Sequence, residues 1–408
     1  MSVCVMLTAV EASGDALGAE LIRALRRRLG PGTRFVGLGA SQMAAEGIAS
    51  PFDMAELSVV GLLEGVLAWR RAARRADQLA ALAVRERPDV VVLIDSWGFS
   101  YLLARRLRRR LPGVKLVKYV APQVWATRPR RARTLARLFD HLLSIVAFEV
   151  PIFERAGAAV TFVGNPAAEH SFTVADPVRL RARIGAEPDD PILLVLPGSR
   201  RSEVERLLPP FEAAVRMLKA ERPALQVVVV AAGTVADLVR AKVAGWPLRA
   251  HIIEDGVGKD DAMLAATVAL ACSGTVTTEL AAAGCPMVVA YRLGALTYQI
   301  AKRIVRTDYI TLFNIAAGAA VAPELIQDAC TGPVLAAQLA LRLDNPALRA
   351  RQSAAQKEAL VLLAGDRGAP TAERAAEVIA SLLSVARPLR PSGPPPPQAG
   401  EDHEVSGL

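Results

Sequence analysis

Residues 190–203 read Asp190-Pro-Ile192-Leu-Leu-Val-Leu196-Pro-Gly198-Ser199-Arg200-Arg201-Ser202-Glu203. Ile192–Leu196 is aliphatic throughout, without polar alternation. That is the pattern of a strand buried on both faces of a parallel sheet. The Gly-Ser turn then opens a helical pattern, so the stretch is a β–α unit. The same design stands at the start of the chain. There Val3–Thr8 leads into Glu11-Ala-Ser13-Gly14-Asp15-Ala-Leu-Gly18 and a helix over Ala16–Leu29.

Outward from these two units the alternation is regular. The first half offers strands at Val3–Thr8, Arg34–Gly37, Val90–Ile94, Lys115–Val120, His141–Ile145 and Thr161–Val163, with helices such as Leu103–Leu111 between them. Parallel neighbours require such crossovers. Asn165–Pro191 interrupts the series with Asp176-Pro177 and Glu187-Pro-Asp-Asp-Pro191, and reads as a linker. A second series follows at Ile192–Leu196, Gln226–Val230, His251–Ile253, Val268–Ala271 and Met287–Ala290. The expected architecture is α/β: two Rossmann-like, doubly wound domains facing a cleft, with ligands at the strand C-termini. The expected division is 1–170, a linker over 171–190, a second domain over 191–350, C-terminal helices over 351–386 with the last at Thr371–Val385, and a proline-rich, disordered tail over 387–408.

Composition agrees with this. At 408 residues, 52% apolar and 22% charged, the chain suits two buried cores. Its four cysteines and four histidines are scattered, supporting neither a disulfide framework nor a metal site. No run reaches the roughly 18 apolar residues of a membrane span. The start lacks the basic, then apolar, pattern of a signal peptide. A cytoplasmic protein is expected. The net charge of +9 suits nucleic acid, phosphorylated substrates or an anionic lipid surface, though arginine-rich solvated helix faces are the plainer reading of most clusters.

Four segments offer chemistry. Glu11, Ser13, Gly14 and Asp15 form a small-residue turn whose N–H groups suit a phosphate or sugar oxygen; it reads equally as a tight turn capped by Ser13 or Asp15. Asp95 ends a strand, where a general base would sit, with Glu11 as its rival; an Asx turn is the plainer reading. Gly198, Ser199 and Arg200 offer N–H groups, a hydroxyl and a guanidinium for a diphosphate. Ser273, Gly274 and Thr275 repeat that turn, and Glu279 lies one helical turn on, within reach of a ribose diol. Neither GxGxxG nor a Walker loop occurs, which argues against a Rossmann oxidoreductase and against ATP hydrolysis. Val60, Leu62, Leu63, Val66, Leu67 and Trp69, followed by Arg70, Arg71, Arg74 and Arg75, suit an acyl chain or an anionic membrane, or else an ordinary amphipathic helix.

In order along the chain, Glu11-Ala-Ser-Gly-Asp15, Phe35-Val-Gly-Leu-Gly39, Tyr119-Val-Ala-Pro-Gln-Val-Trp125, Leu196-Pro-Gly-Ser-Arg200, Ser273-Gly-Thr275, Tyr291–Asn314 with Ala301-Lys302-Arg303 and Thr307-Asp308-Tyr309, and Pro323-Glu-Leu-Ile-Gln327 resemble the lipid-A-disaccharide synthase family. The resemblance implies an inverting, two-Rossmann (GT-B) glycosyltransferase without bound metal or cofactor. It implies a UDP-2,3-diacylglucosamine donor and a 2,3-diacylglucosamine 1-phosphate acceptor. It also implies a peripheral position on the cytoplasmic face of the inner membrane of Gram-negative bacteria, with no nucleic-acid partner and the oligomeric state open. It assigns the essential carboxylate to Asp95 and the UDP side to Arg200, Ser273, Thr275, Glu279 and Asn314, with Gln327 beside them. The first-domain turn is Glu11, Ser13 and Asp15, and the acyl patch runs from Val59 to Trp69.

Four places depart from the family pattern: Val10 for glycine, Trp97-Gly98 for Pro-Asp, Thr127 for tryptophan, and Asn165 for histidine after Gly164. All fall in the acceptor half. A paralogue with another acceptor, or an inactive nucleotide-sugar binder, is the alternative.

Overall fold

A computed structural model describes residues 3–57, 65–124, 130–254, 256–294, 298–299, 307–365 and 368–386. The expected tail over 387–408 lies outside them. The first unit contains strands β1 (Cys4–Thr8), β2 (Arg34–Leu38), β3 (Val90–Ile94), β4 (Lys115–Tyr119), β5 (His141–Ser144) and β6 (Val160–Phe162). The second contains β7 (Ile192–Leu196), β8 (Gln226–Ala231), β9 (His251–Glu254), β10 (Val268–Cys272), β11 (Met287–Tyr291) and β12 (Glu324–Ile326). Each sheet is six-stranded and parallel, so the chain is two Rossmann-like units. β12 escaped the sequence reading because Glu-Leu-Ile is too short and too polar at its start to stand out.

β1, β3, β7 and β10 are buried along their whole length, as their unbroken aliphatic runs require. In the first unit, helices Gly65–Glu86, Trp97–Arg110 and Arg130–Leu138 cover one face through Leu79, Leu103, Leu107 and Leu135. Helix Ala12–Leu29 covers the other through Leu21, Ile22 and Leu25. The last helix, Thr371–Ala386, returns across the molecule to pack Ala375, Ala376 and Ile379 beside it.

Asn165–Pro191 is not structureless. Asp176 caps helix Pro177–Ile184, which buries Leu180 and Ile184 in the second core. Proline at its first position and the left-handed Gly185 at its end are helix signals rather than linker signals.

The strand order locates the ligand crevices. The first sheet runs β2-β1-β3-β4-β5-β6 and the second β12-β11-β10-β7-β8-β9. In each, the chain winds one way from its first strand, then resumes on that strand's other side. The switch points are therefore β1/β3 and β7/β10. Helices leave in opposite directions there, opening a crevice beyond the strand C-termini. Glu11 and Asp95 follow β1 and β3; Arg200 and Ser273 follow β7 and β10.

Candidate active site at the two switch points

At the first switch point, helix Ala12–Leu29 starts earlier than its sequence pattern indicates. Glu11 occupies the N-cap position without a side-chain capping bond, so neither Ser13 nor Asp15 is the cap. Ser13 is exposed in the first turn. Gly14 is buried against Ala9. Asp15 is buried and turned away from ligand: its carboxylate accepts from the N–H groups of Ala40 at 2.7 Å, Gln42 at 2.9 Å and Met43 at 3.1 Å. It caps the short helix Ser41–Ala45 instead.

Asp95 and Ser96 both have left-handed backbone, with φ of 46° and 37°. Non-glycine residues adopt it uncommonly, Asp more readily than most, and residues held there cluster at functional sites. The Asp95 N–H donates to the Tyr119 carbonyl at 2.9 Å, and its carbonyl accepts from Ser100 Oγ at 2.8 Å. Asp95 is half-buried. Glu11 is close enough to feel its charge. Burial, and next Asp95, push the Glu11 carboxyl above its ordinary range, while Arg200 and Lys118 oppose the rise.

The departure Trp97-Gly98 opens helix Trp97–Arg110 and carries an aromatic cluster. The Trp97 and Tyr101 ring centroids are 5.5 Å apart. The Arg131 guanidinium lies 5.8 Å from the Trp97 ring centre, and that of Arg105 lies 5.6 Å from Tyr101. Sequence reading missed it because Arg131 comes from a different helix. Asn165 is a departure of another kind. It is buried where the chain passes between units, its N–H donating to the Leu363 carbonyl at 3.0 Å and its Oδ1 accepting from Ala167 N at 3.0 Å. Thr127 lies outside the described residues.

At the second switch point Gly198 has φ of 110°, and a Cβ there would lie 2.5 Å from Glu203 Oε2. Glu203 is the residue that sequence reading overlooked. Its buried carboxylate accepts from Ser199 N at 3.2 Å and Arg200 N at 3.3 Å. The backbone donors expected to cradle a diphosphate are thus turned inward, and the Arg200 side chain is what the turn presents. That side chain is 67% exposed, with Nη1 3.3 Å from Glu203 Oε1 and Nη2 3.9 Å from Glu11 Oε2. Burial disfavours its charge, but Glu203, Glu11 and Tyr291 outweigh this and raise its pKa.

After β10, Gly274 is the N-cap of helix Thr275–Ala282, and Gly274 and Thr275 are exposed. The first N–H groups of this helix face no side-chain cap and retain the anion preference of a helix start. Ser273 Oγ donates to the Ile310 carbonyl at 3.3 Å. Glu279 is paired with Lys259 at 2.9 Å, both largely buried.

Asn314 and Gln327 are braces. Asn314 is fully buried, donating to the Ala322 carbonyl at 2.9 Å and Glu324 Oε1 at 2.8 Å, and accepting from Ala322 N at 3.0 Å. Glu324 also accepts from Ile310 N and from Thr311 N and Oγ1, which fixes the loop holding Ser273. Gln327 grips the Leu293 backbone, accepting from its N–H at 2.5 Å and donating to its carbonyl at 3.4 Å.

Val60, Leu62 and Leu63 lie outside the described residues, as do the side chains of Val66 and Leu67. Trp69 is 60% exposed. Arg71, Arg74, Arg75 and Gln78 line a pocket of about 160 Å³, and the Arg75 guanidinium sits 4.5 Å from the Phe52 ring centre. Among the described residues, no helix is long and apolar enough to cross a membrane, and no group of three or more His, Cys, Asp or Glu could hold a metal ion.

Comparison with known proteins places this arrangement. Residues 5–379 match the family described as Lipid-A-disaccharide synthetase. The Lipid-A-disaccharide synthase of Rhodospirillum centenum is 40% identical, the match covering 93% of this chain and 94% of that protein. That of Ruegeria pomeroyi is 43% identical, over 93% and 95%. Among solved structures, the S. aureus MnaA-UDP co-structure has a TM-score of 0.63 at 15% identity, covering 94% of this chain and 96% of the other. UDP-GlcNAc 2-epimerase from Neisseria meningitidis bound to UDP-GlcNAc has 0.63 at 11% identity, covering 94% and 99%. The structural likenesses show the shared two-Rossmann fold, and the family match over nearly the whole length does the rest: this chain belongs to the lipid-A-disaccharide synthase family of UDP-sugar glycosyltransferases.

Proposed function

We propose that the protein transfers the sugar of UDP-2,3-diacylglucosamine to 2,3-diacylglucosamine 1-phosphate, inverting the anomeric carbon and releasing UDP. Asp95 takes the proton of the acceptor 6-hydroxyl as that oxygen bonds to the donor C1. The bond from C1 to the diphosphate oxygen breaks, and its electron pair leaves with UDP. Arg200 and the helix start at Thr275 balance the charge that develops on the diphosphate. Glu279 takes the ribose diol. Glu11, whose carboxyl burial and Asp95 push above its ordinary range, is the second candidate for the base.

The observation that carries this reading is the 3.9 Å approach of Arg200 Nη2 to Glu11 Oε2. It brings the carboxylate pair of one switch point to the cation of the other, so that an acceptor hydroxyl and a donor diphosphate meet in one place. Arg131 and Arg105, stacked on Trp97 and Tyr101 just past Asp95, suit the acceptor phosphate. The exposed Trp69 beside an arginine row supports peripheral attachment to the cytoplasmic face of the inner membrane.

The test is turnover of purified protein with the two diacylated glucosamines, read as product mass and UDP release. Asp95→Asn should lower kcat by about 10²–10⁴-fold while UDP affinity stays near wild type. Full turnover in Asp95→Asn with loss in Glu11→Gln would move the base to Glu11.

A further inference from the structure

Lys118 is the fourth residue of β4, in the middle of the first core, and is completely buried. Lysine is almost never found there without a partner for its charge. Its Nζ donates to the Leu93 carbonyl at 3.2 Å, to the Tyr119 carbonyl at 3.4 Å, and to the Asp95 carbonyl in the shortest of the three contacts. Three acceptors match the three hydrogens of an ammonium. A neutral amine has two hydrogens and would turn its lone pair toward a carbonyl.

All three carbonyls belong to the ends of β3 and β4, where the backbone is unusual. Asp95, Ser96 and Val120 all have left-handed φ, of 46°, 37° and 62°. The Tyr119 carbonyl also accepts from the Asp95 N–H and the Asp95 carbonyl from Ser100 Oγ, so Lys118 adds a second bond at both. One ammonium bridges all three. Both backbone polar groups of Asp95 are thereby tied to β4, the N–H to the Tyr119 carbonyl and the carbonyl to Lys118.

We propose that Lys118 is a positioning residue for the transfer reaction: it holds the strained Asp95–Ser96 turn so that the Asp95 carboxylate stands beside Glu11, and it places a cation beneath both. This rests on the reading of Asp95 as the base. Because the Asp95 and Tyr119 carbonyls each keep another donor, an apolar side chain of like volume in place of Lys118 should leave the protein folded. The charged groups that face it are Asp95 and Glu11. Burial draws the Lys118 pKa down to about 7, and those two carboxylates oppose the fall.

Lys118→Met keeps length and volume and removes charge and donors. The expected result is a folded protein with wild-type UDP affinity by calorimetry, unchanged KM for the donor, and kcat lower by about ten- to a hundredfold, the cost of a small misplacement of a catalytic group. Lys118→Gln keeps two donors without charge and serves if the methionine variant does not fold. The decisive readout is a double-mutant cycle with Asp95→Asn. If Lys118 works through Asp95, Lys118→Met costs little further rate in the Asp95→Asn background, whereas a merely structural lysine costs the same factor in both. Equal losses in both backgrounds, or wild-type kcat in a folded Lys118→Met, overturn the proposal. A fully active Asp95→Asn overturns the base assignment instead, and is seen before Lys118 is touched.

Discussion

Glu11 Oε2 and Arg200 Nη2 stand 3.9 Å apart, one at the end of β1 and the other at the start of the helix after β7. Both side chains are substantially exposed, at 45% and 67%, so the pair contributes little to holding the units together. Its importance is positional. The cation stands after β7 at the second switch point and approaches the acidic first one, so that under the proposed reaction a bound diphosphate would compete with Glu11 for it.

Arg200→Ala should therefore weaken UDP by about 1.5–3 kcal/mol, the range of a lost charge-assisted contact, with little change in thermal midpoint. Isothermal titration with UDP checks the affinity, and a thermal melt checks the midpoint. Unchanged affinity would take Arg200 out of the nucleotide site.

Asn314→Ala should act differently from Arg200→Ala although the family resemblance assigns both to the UDP side. Asn314 has no exposed surface for a ligand, and its removal leaves Glu324 and the Ala322 backbone short of partners. Stability should fall by about 1–3 kcal/mol, and UDP affinity should fall with it, because the Ile310–Thr311 loop that holds Ser273 loosens. Urea denaturation alongside calorimetry separates the two variants. A stable Asn314→Ala that fails only to bind UDP would mean direct contact with ligand.

Lys118 gives stability a pH dependence of definite sign. Its pKa is lowered to about 7 in the folded protein, against an ordinary 10.5. Between these values the unfolded chain binds more protons, so this residue makes stability rise with pH from about 7 upward. Cys272 and Cys285, pushed up to about 12 by burial, act in the opposite sense above pH 9. The difference between wild type and Lys118→Met isolates the lysine. Denaturation midpoints from pH 6.5 to pH 9.5, roughly spanning that window, should show the wild type gaining on the variant. A constant difference would contradict the lowered pKa.

Trp69→Ser combined with Arg71→Gln and Arg74→Gln should release the protein from vesicles of anionic phospholipid, and added salt should mimic the arginine changes. Sedimentation with vesicles measures it. Because Trp69 is exposed and Arg71 and Arg74 stand at the surface, folding should be unaffected. Binding that survives all three changes places the membrane surface elsewhere.

The amino-acid order alone determined the two β–α series, because the strands of a covered parallel sheet are dominated by aliphatic residues. Eleven of the strands described here were legible that way, and β12 was not. It also marked the four strand-end turns of the candidate site, by small residues or a carboxylate where a strand gives way to a helix. What only the tertiary structure decided was which polar atoms remain for a ligand. Asp15 and Asn314 look like binding groups in sequence, yet their donors and acceptors are occupied by backbone 25 and eight residues away. Glu203 turns the Ser199 and Arg200 N–H groups inward, and Lys118 reads as an ordinary strand residue until β3 is laid beside it. The physical reason is that hydrogen-bond partners are set by distance in space, whereas strand burial is set by the side chains within the strand itself. The pairing of Glu11 with Arg200, nearly 190 positions apart, exists only because two separately wound sheets turn their switch points toward one cleft.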